Sequence, residues 1–136
     1  MAGSFSDYLE LELLDHVFRQ AAYSAPANIF VALCTSPVSD SNTGSTITEC
    51  DYTGYARVST TSTDWDVASS GATANATAIA FPQKTDGEDD TATYFALCDA
   101  ATVGNMLAWG ELTTSRVIVN GAEPTFAIGE LDVTLT

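Results

Sequence analysis

The sequence predicts an all-β fold carrying one N-terminal helix: an antiparallel β-sandwich, Greek-key-like in its connections. Three observations predict it. The tract from Tyr94 to Thr136 alternates short apolar runs with turn residues and holds no cluster of catalytic type. Only one segment, residues 7 to about 20, repeats its apolar side chains at helical spacing. The remainder divides into about seven short strand-like segments separated by turn signals, the pattern of a sandwich.

The helix comes first. Ser6 or Asp7 can cap it, and Asp7, Glu10 and Glu12 suit the positive end of its dipole. Leu9, Leu13, Leu14, Val17 and Phe18 form one apolar stripe, which Tyr8 and Leu11 widen. Asp15 can reach Arg19 one turn on. A helix apolar over that width wants more than one neighbour. Pro26 closes the connection that follows. Asn28–Thr35 is then a nearly continuous apolar run of strand length, as in a central strand buried on both faces. Residues 36–44 read as a mobile polar surface loop.

Tyr55–Thr61 alternates as a strand, and Trp65 follows it. Ala72–Phe81 also alternates, with small residues that let neighbours approach closely, and Pro82 ends it. Asp86–Asp90 is an acidic loop. Further strands are expected near Ala92–Cys98, Asn105–Leu112, Arg116–Val119 and Leu131–Thr136, with Phe126 on a short extra one. Val103-Gly104-Asn105 and Asn120-Gly121 are turn signals, and Asp99 can receive a backbone N–H where its strand ends. Ile29–Cys34 and Tyr94–Cys98 echo each other, as two central strands under the same packing demands would.

A chain of 136 residues is read as a single sandwich domain over 1–136. A domain of this size buries roughly two-thirds of the surface of its unfolded chain, so a core forms without staples. Four basic residues face eighteen acidic ones, a formal charge of -14. That excludes nucleic acid, whose phosphates need Lys and Arg to displace counterions, and it excludes an anionic membrane surface. The three cysteines, Cys34, Cys50 and Cys98, form no C-x-x-C pair. Cys34 and Cys98 each close an apolar run and read as small buried hydrophobes. No signal peptide or membrane span is expected, which suggests folding in a reducing cytoplasm. Without secretion, the sequon Asn75-Ala76-Thr77 has no meaning.

Catalytic chemistry is hard to place. His16 is the one histidine, and it sits mid-helix beside Asp15, so a nucleophilic triad has nowhere else to turn. Zinc needs several His or Cys ligands at closer spacing. Asp86–Asp90 offers carboxylates to calcium but lacks alternating ligand spacing, and a solvated acidic loop is the simpler reading. Paired carboxylates for glycoside chemistry cannot be assigned, and no Gly-rich phosphate loop is present. Trp65 and Trp109 could form a sugar platform, although tryptophans in such a domain more often serve core or interface. No catalytic, cofactor or metal residue is therefore assigned, and no enzyme is expected. The candidate interface residues are Tyr8, Leu11, Phe18, Trp65 and Trp109.

Several segments together carry a family resemblance. They are Asp7–Arg19, Asn28–Leu33, Gly54–Val58, Ala74–Pro82, Tyr94–Ala101, Asn105–Leu112 and the ending Asp132–Thr136. In this order and spacing the chain resembles small tailed-bacteriophage virion proteins, commonly labelled tail-fibre proteins, some of whose relatives look like capsid decoration (cement) proteins. The resemblance brings no catalytic motif. It implies a β-sandwich that forms a homo-oligomer, expected as a trimer, on a phage particle assembled in the bacterial host cytoplasm. Its partners would be other virion proteins, either the major capsid protein or tail proteins, with no nucleic acid, membrane or cofactor involved. The expected function is capsid decoration that stabilises the shell, because 136 residues hold no fibrous repeat. A tail-fibre or tail-adaptor component is the alternative, and a carbohydrate-binding module a further one.

Overall fold

A computed structural model describes residues 2–135 of the chain. Its elements in order are β1 (Ala2–Phe5), α1 (Asp7–Phe18), β2 (Ile29–Cys34), β3 (Val58–Thr60), β4 (Ala72–Ala74), β5 (Ile79–Ala80), β6 (Asp90–Cys98), β7 (Met106–Ile118), β8 (Thr125–Phe126) and β9 (Asp132–Thr134). The predicted class holds: strands dominate, with one N-terminal helix. Seven strands form one sheet in the order β3-β2-β6-β7-β1-β9-β4, and β5 pairs with β8 in a second, two-stranded sheet. The pairings are antiparallel except β1 with β9, which is parallel.

The centre of the large sheet follows from side-chain alternation. Val31 and Leu33 of β2 point to one face with Phe95 and Leu97 of β6. There they join Ile79, Phe81, Leu112, Ile118, Phe126 and Leu131 in the main core, which the small sheet closes. Ala32 and Cys34 point the other way with Ala96, Cys98 and Met106, under Val38, Ile47, Tyr94 and Trp109. Burial on both faces is why β2 reads as a continuous apolar run. All three cysteines are free and buried.

The second face needs a cover, and the loop after β2 supplies it. Residues 36–44 are therefore packed down, against the expectation of a mobile surface loop. Val38 and Gly44 are buried, Asn42 accepts from the Ser39 backbone at 2.8 Å, and a Cβ on Gly44 would collide with the Val103 carbonyl. Apolar burial holds the loop as well as internal hydrogen bonds.

Other boundaries differ for physical reasons. The expected strand Tyr55–Thr61 shortens to β3. Ala72–Phe81 splits into β4 and β5 because Asn75 turns inward between them. Its amide donates to the carbonyls of Thr77 at 2.8 Å and Ala127 at 2.9 Å, and its oxygen accepts from the Leu131 N–H at 2.9 Å. Such complete satisfaction is what lets a buried carboxamide persist. The strands expected at Asn105–Leu112 and Arg116–Val119 are one, β7. Its pairing jumps from Tyr94–Glu111 to Ala92–Arg116, so Leu112–Ser115 bulges opposite a single residue, Thr93. The last strand is β9 alone; Thr136, assigned to it from sequence, lies outside the described residues.

Two further features went unpredicted. β1 lies inside the large sheet, between β7 and β9. The sheet's two edges are also tied through their continuations: beyond β3 the Ala76 N–H donates to the Asp64 carbonyl at 2.7 Å, and the Asp66 N–H to the Ala74 carbonyl at 2.9 Å. Phe95→Ala in the main core should cost about 3–5 kcal/mol. Leu14→Ala on the exposed helix should stay within about 0.5 kcal/mol. Paired denaturant melts check both.

Candidate functional site

The helix is the most exposed apolar element, and its position follows from its start. Ser6 is buried. Its hydroxyl donates to the Met106 carbonyl and accepts from the Leu9 N–H at 3.2 Å, so the N-cap is pinned to β7. The Asp7 N–H donates to the Asp40 carbonyl at 2.9 Å. At the other end Arg19 is the C-cap, Gln20 takes a positive φ of 58°, and the His16 Nδ1–H donates to the Ala21 carbonyl at 2.9 Å. His16 is thus used for capping. The expected Asp15–Arg19 pair is present at 3.8 Å between exposed side chains, a geometry worth little.

The predicted stripe is divided between two sides of the helix. Leu9 and Leu13 are half-buried on the inner side, whereas no residue of α1 is fully buried. Leu13 is therefore not the core residue its spacing suggests. Leu11 and Phe18 are 65% and 78% exposed, and Leu14 and Val17 lie exposed beside them. Leu11, Leu14 and Phe18 stand at i, i+3 and i+7, the spacing of anchors on a helix that docks. An apolar row of this kind, rimmed by Asp7, Glu10 and Asp15, is the signature of a contact surface.

The other candidates fall elsewhere. Tyr8 is half-buried on the helix, with its phenol pKa raised by burial and by the Glu12 and Asp99 carboxylates. Trp65 packs against the main core, and its indole N–H donates to Thr60 Oγ1 at 2.9 Å. Trp109 packs on the opposite sheet face beside Tyr94 and donates to Asp40 Oδ1 at 2.8 Å. Tyr8, Leu11 and Phe18 thus share one element, while the tryptophans are separated and each uses its N–H internally.

The strongest polar site was not anticipated. The Arg57 side chain is only 2% exposed, yet it makes five hydrogen bonds. Nε and Nη2 donate to the two Glu49 oxygens at 3.0 and 2.9 Å, Nη1 to the carbonyls of Ala100 at 2.8 Å and Val103 at 2.9 Å, and Nη2 also to the Gly44 carbonyl at 2.8 Å. A guanidinium has five N–H donors, so none is left over. Burial opposes the charge, but the hydrogen bond to Glu49 outweighs it and the pKa is held above its ordinary value. Glu49 also accepts from the Tyr55 hydroxyl at 2.8 Å, and burial pushes that phenol far up. The site clamps chain segments; it is saturated and offers nothing to a substrate.

A cleft of about 470 Å³ opens between the far half of β7 and residues 122–130. Phe81 and Phe126 line it, with Arg116 and Glu130 among its polar residues. Among the described Lys and Arg side chains, Arg116 alone makes no hydrogen bond or ion pair. In the acidic loop, Asp90 accepts the backbone N–H groups of Asp51 at 2.8 Å and Tyr52 at 2.9 Å. Among the described residues no group of three His, Cys, Asp or Glu is placed to hold a metal ion, and no helix is long and apolar enough to cross a membrane. Asp99 receives the Asn105 N–H at 2.8 Å, closing the turn at that strand end.

Two predictions follow from the buried groups. Arg57→Met should cost about 3–5 kcal/mol, because it strands a carboxylate and three carbonyls. Arg57→Lys should recover only part of that, since an ammonium cannot reach the same acceptors; denaturant melts that place Arg57→Lys level with wild type would contradict this. Burial raises the thiol of Cys50 to about 12 and that of Cys98 to about 11, from an ordinary 9.0. The folded state thus keeps protons that the unfolded chain loses. Their contribution to stability is whole below the ordinary value and is lost as pH rises through about 11 to 12. Melting temperatures should hold from neutral pH and fall on the alkaline side, and a thiol reagent at mildly alkaline pH should label the protein only as fast as it unfolds.

The Arg57 site is saturated, the three thiols are buried, and α1 exposes an apolar row. No curated protein matches the chain. A family model described as "Podophage GP4 fiber I protein gp80" matches residues 4–134, from within β1 to the end of β9. The chain belongs to this family and is a structural protein of the tailed-bacteriophage virion.

Proposed function

We propose that the chain is a packing subunit of a phage fibre, acting by the surfaces it presents and catalysing nothing. The family's description as a fibre protein carries this reading, and the exposed row on α1 fits it. That row, Leu11, Leu14 and Phe18 with Val17 and Tyr8 beside it, would be its contact with further copies and with neighbouring virion proteins, in a homo-oligomer expected as a trimer. Its acidic exterior would keep the unassembled subunit soluble in the host.

Capsid decoration is the second reading, favoured by one observation: a compact sandwich without a fibrous repeat is the form expected of a small cement protein. Sugar binding gains less support, because Trp65 and Trp109 lie on different sheet faces with both indole N–H groups engaged.

Image reconstruction of the intact particle separates these readings. The fibre reading expects a few copies at a fibre or tail attachment; hundreds of copies spread over the shell would replace it with decoration. Phe18→Asp should reduce incorporation into particles at least roughly tenfold, the equivalent of losing about 1.4 kcal/mol of contact, with an unchanged melting curve. Normal incorporation would remove α1 from the assembly surface.

A further inference from the structure

Lys84 is fully buried, and nothing described so far needs a lysine there. Its backbone is paired with the turn after β7: the Lys84 N–H donates to the Ala122 carbonyl at 2.9 Å, and the Gly121 N–H donates to the Lys84 carbonyl at 2.8 Å. Gln83 adds a bond from its side-chain amide to the Gly121 carbonyl at 2.9 Å. Three hydrogen bonds therefore hold the segments of Lys84 and Asn120 side by side. The Lys84 ammonium donates to the Asn120 carboxamide oxygen and to the Gly87 carbonyl at 2.7 Å, and the Asp89 carboxylate stands 3.8 Å away.

An amine, a carboxamide and a carboxylate are thus brought together by the fold. We propose that Lys84 and Asn120 become joined by an intramolecular isopeptide bond, with Asp89 moving the proton. The amine already touches the carboxamide oxygen, so the carboxamide carbon lies one bond farther on, and rotation about the last Asn120 torsion presents the open face of that carbon to the amine. Fixing both reactants on neighbouring segments is the arrangement that makes a slow amide exchange proceed inside a protein.

The atoms balance. Asp89 takes a proton from the Lys84 ammonium. The free Nζ attacks Cγ of Asn120, a C–N bond forms, and the tetrahedral centre collapses by breaking its bond to Nδ2. Asp89 returns that proton to the leaving nitrogen, ammonia departs, and the extra proton left on Nζ passes through the half-exposed Asp89 to water. No oxidant, reductant or cofactor enters. The reaction happens once per molecule, so a slow step suffices. The bond would tie the segment after β5 to the segment before β8 and so lock the small sheet over the main core. The three cysteines provide no such tie, since all are free and buried.

The test is the mass of the intact, denatured full-length protein, followed by tandem mass spectrometry of its digest. The expected result is a chain lighter than its sequence by one ammonia, with a branched peptide joining Lys84 to Asn120. Lys84→Arg and Asn120→Ala should both have full mass. Asp89→Asn, altered at a half-exposed side chain, should fold and form the bond roughly a hundredfold more slowly, as for loss of a general acid–base group. Full mass in the wild-type protein after long incubation would overturn the proposal and leave Lys84 as a buried ammonium held by three acceptors. Loss of ammonia that persists in Lys84→Arg would also overturn it, because Asn120-Gly121 would then have closed on its own backbone.

Discussion

The clamp around Arg57 is the constraint on which the rest of the protein depends. One guanidinium, 2% exposed, binds Glu49 and the carbonyls of Gly44, Ala100 and Val103. These acceptors belong to two loops that no strand ladder holds. One covers the outer face of the sheet, where Val38 and Ile47 shield Ala32, Cys34 and Cys98. The other is the turn between β6 and β7, where Val103 and Gly104 take positive φ. The clamp joins the two loops and adds to the apolar burial of Val38 and Ile47 that keeps this face of the two central strands covered. A buried charge is costly unless fully paired, and here every donor has an acceptor, so the pair specifies one loop arrangement.

With the sheet covered on both faces and, among the described residues, every buried side-chain polar atom partnered, α1 carries four exposed large apolar side chains, Leu11, Leu14, Val17 and Phe18. The helix is fastened at its start through Ser6 and Asp7 and then runs out with no buried residue. Val67, Val117, Val119 and Ile128 are exposed elsewhere, on a chain whose formal net charge is -14. In the assembly role proposed above, charge would discourage nonspecific contact and the apolar row on α1 would define where contact occurs.

Legibility in the sequence varied with the kind of force involved. β2 and β6 were readable because burial on both faces leaves a continuous apolar run. The cap at Ser6 was readable because capping is local. β1 was not, because Ala2-Gly3-Ser4-Phe5 has no apolar excess and owes its place to ladders with β7 and β9. The break at Asn75 was hidden by a run of small alternating residues, since its partners Ala127 and Leu131 lie far along the chain. Arg57 carries no local signal within the alternating run Tyr55–Thr61, since its carbonyl partners Gly44, Ala100 and Val103 lie outside that run. The helix illustrates a different limit. Spacing announces an apolar stripe but does not say what covers it, so Leu13 looked like core and Leu11 like an outlier. Tyr8, Leu11 and Phe18 were chosen for the helix they share; Trp65 and Trp109 were chosen by residue type, and the fold puts their indole N–H groups to internal use.

The central claim is that the exposed row of α1 is covered in the particle. Hydroxyl-radical footprinting of the isolated protein and of intact virions measures this at individual side chains. The account predicts that oxidation of Leu14 and Phe18 falls sharply in virions while Ile128, exposed in the loop between β8 and β9, changes little. Equal oxidation of Leu14 and Phe18 in both samples would contradict it.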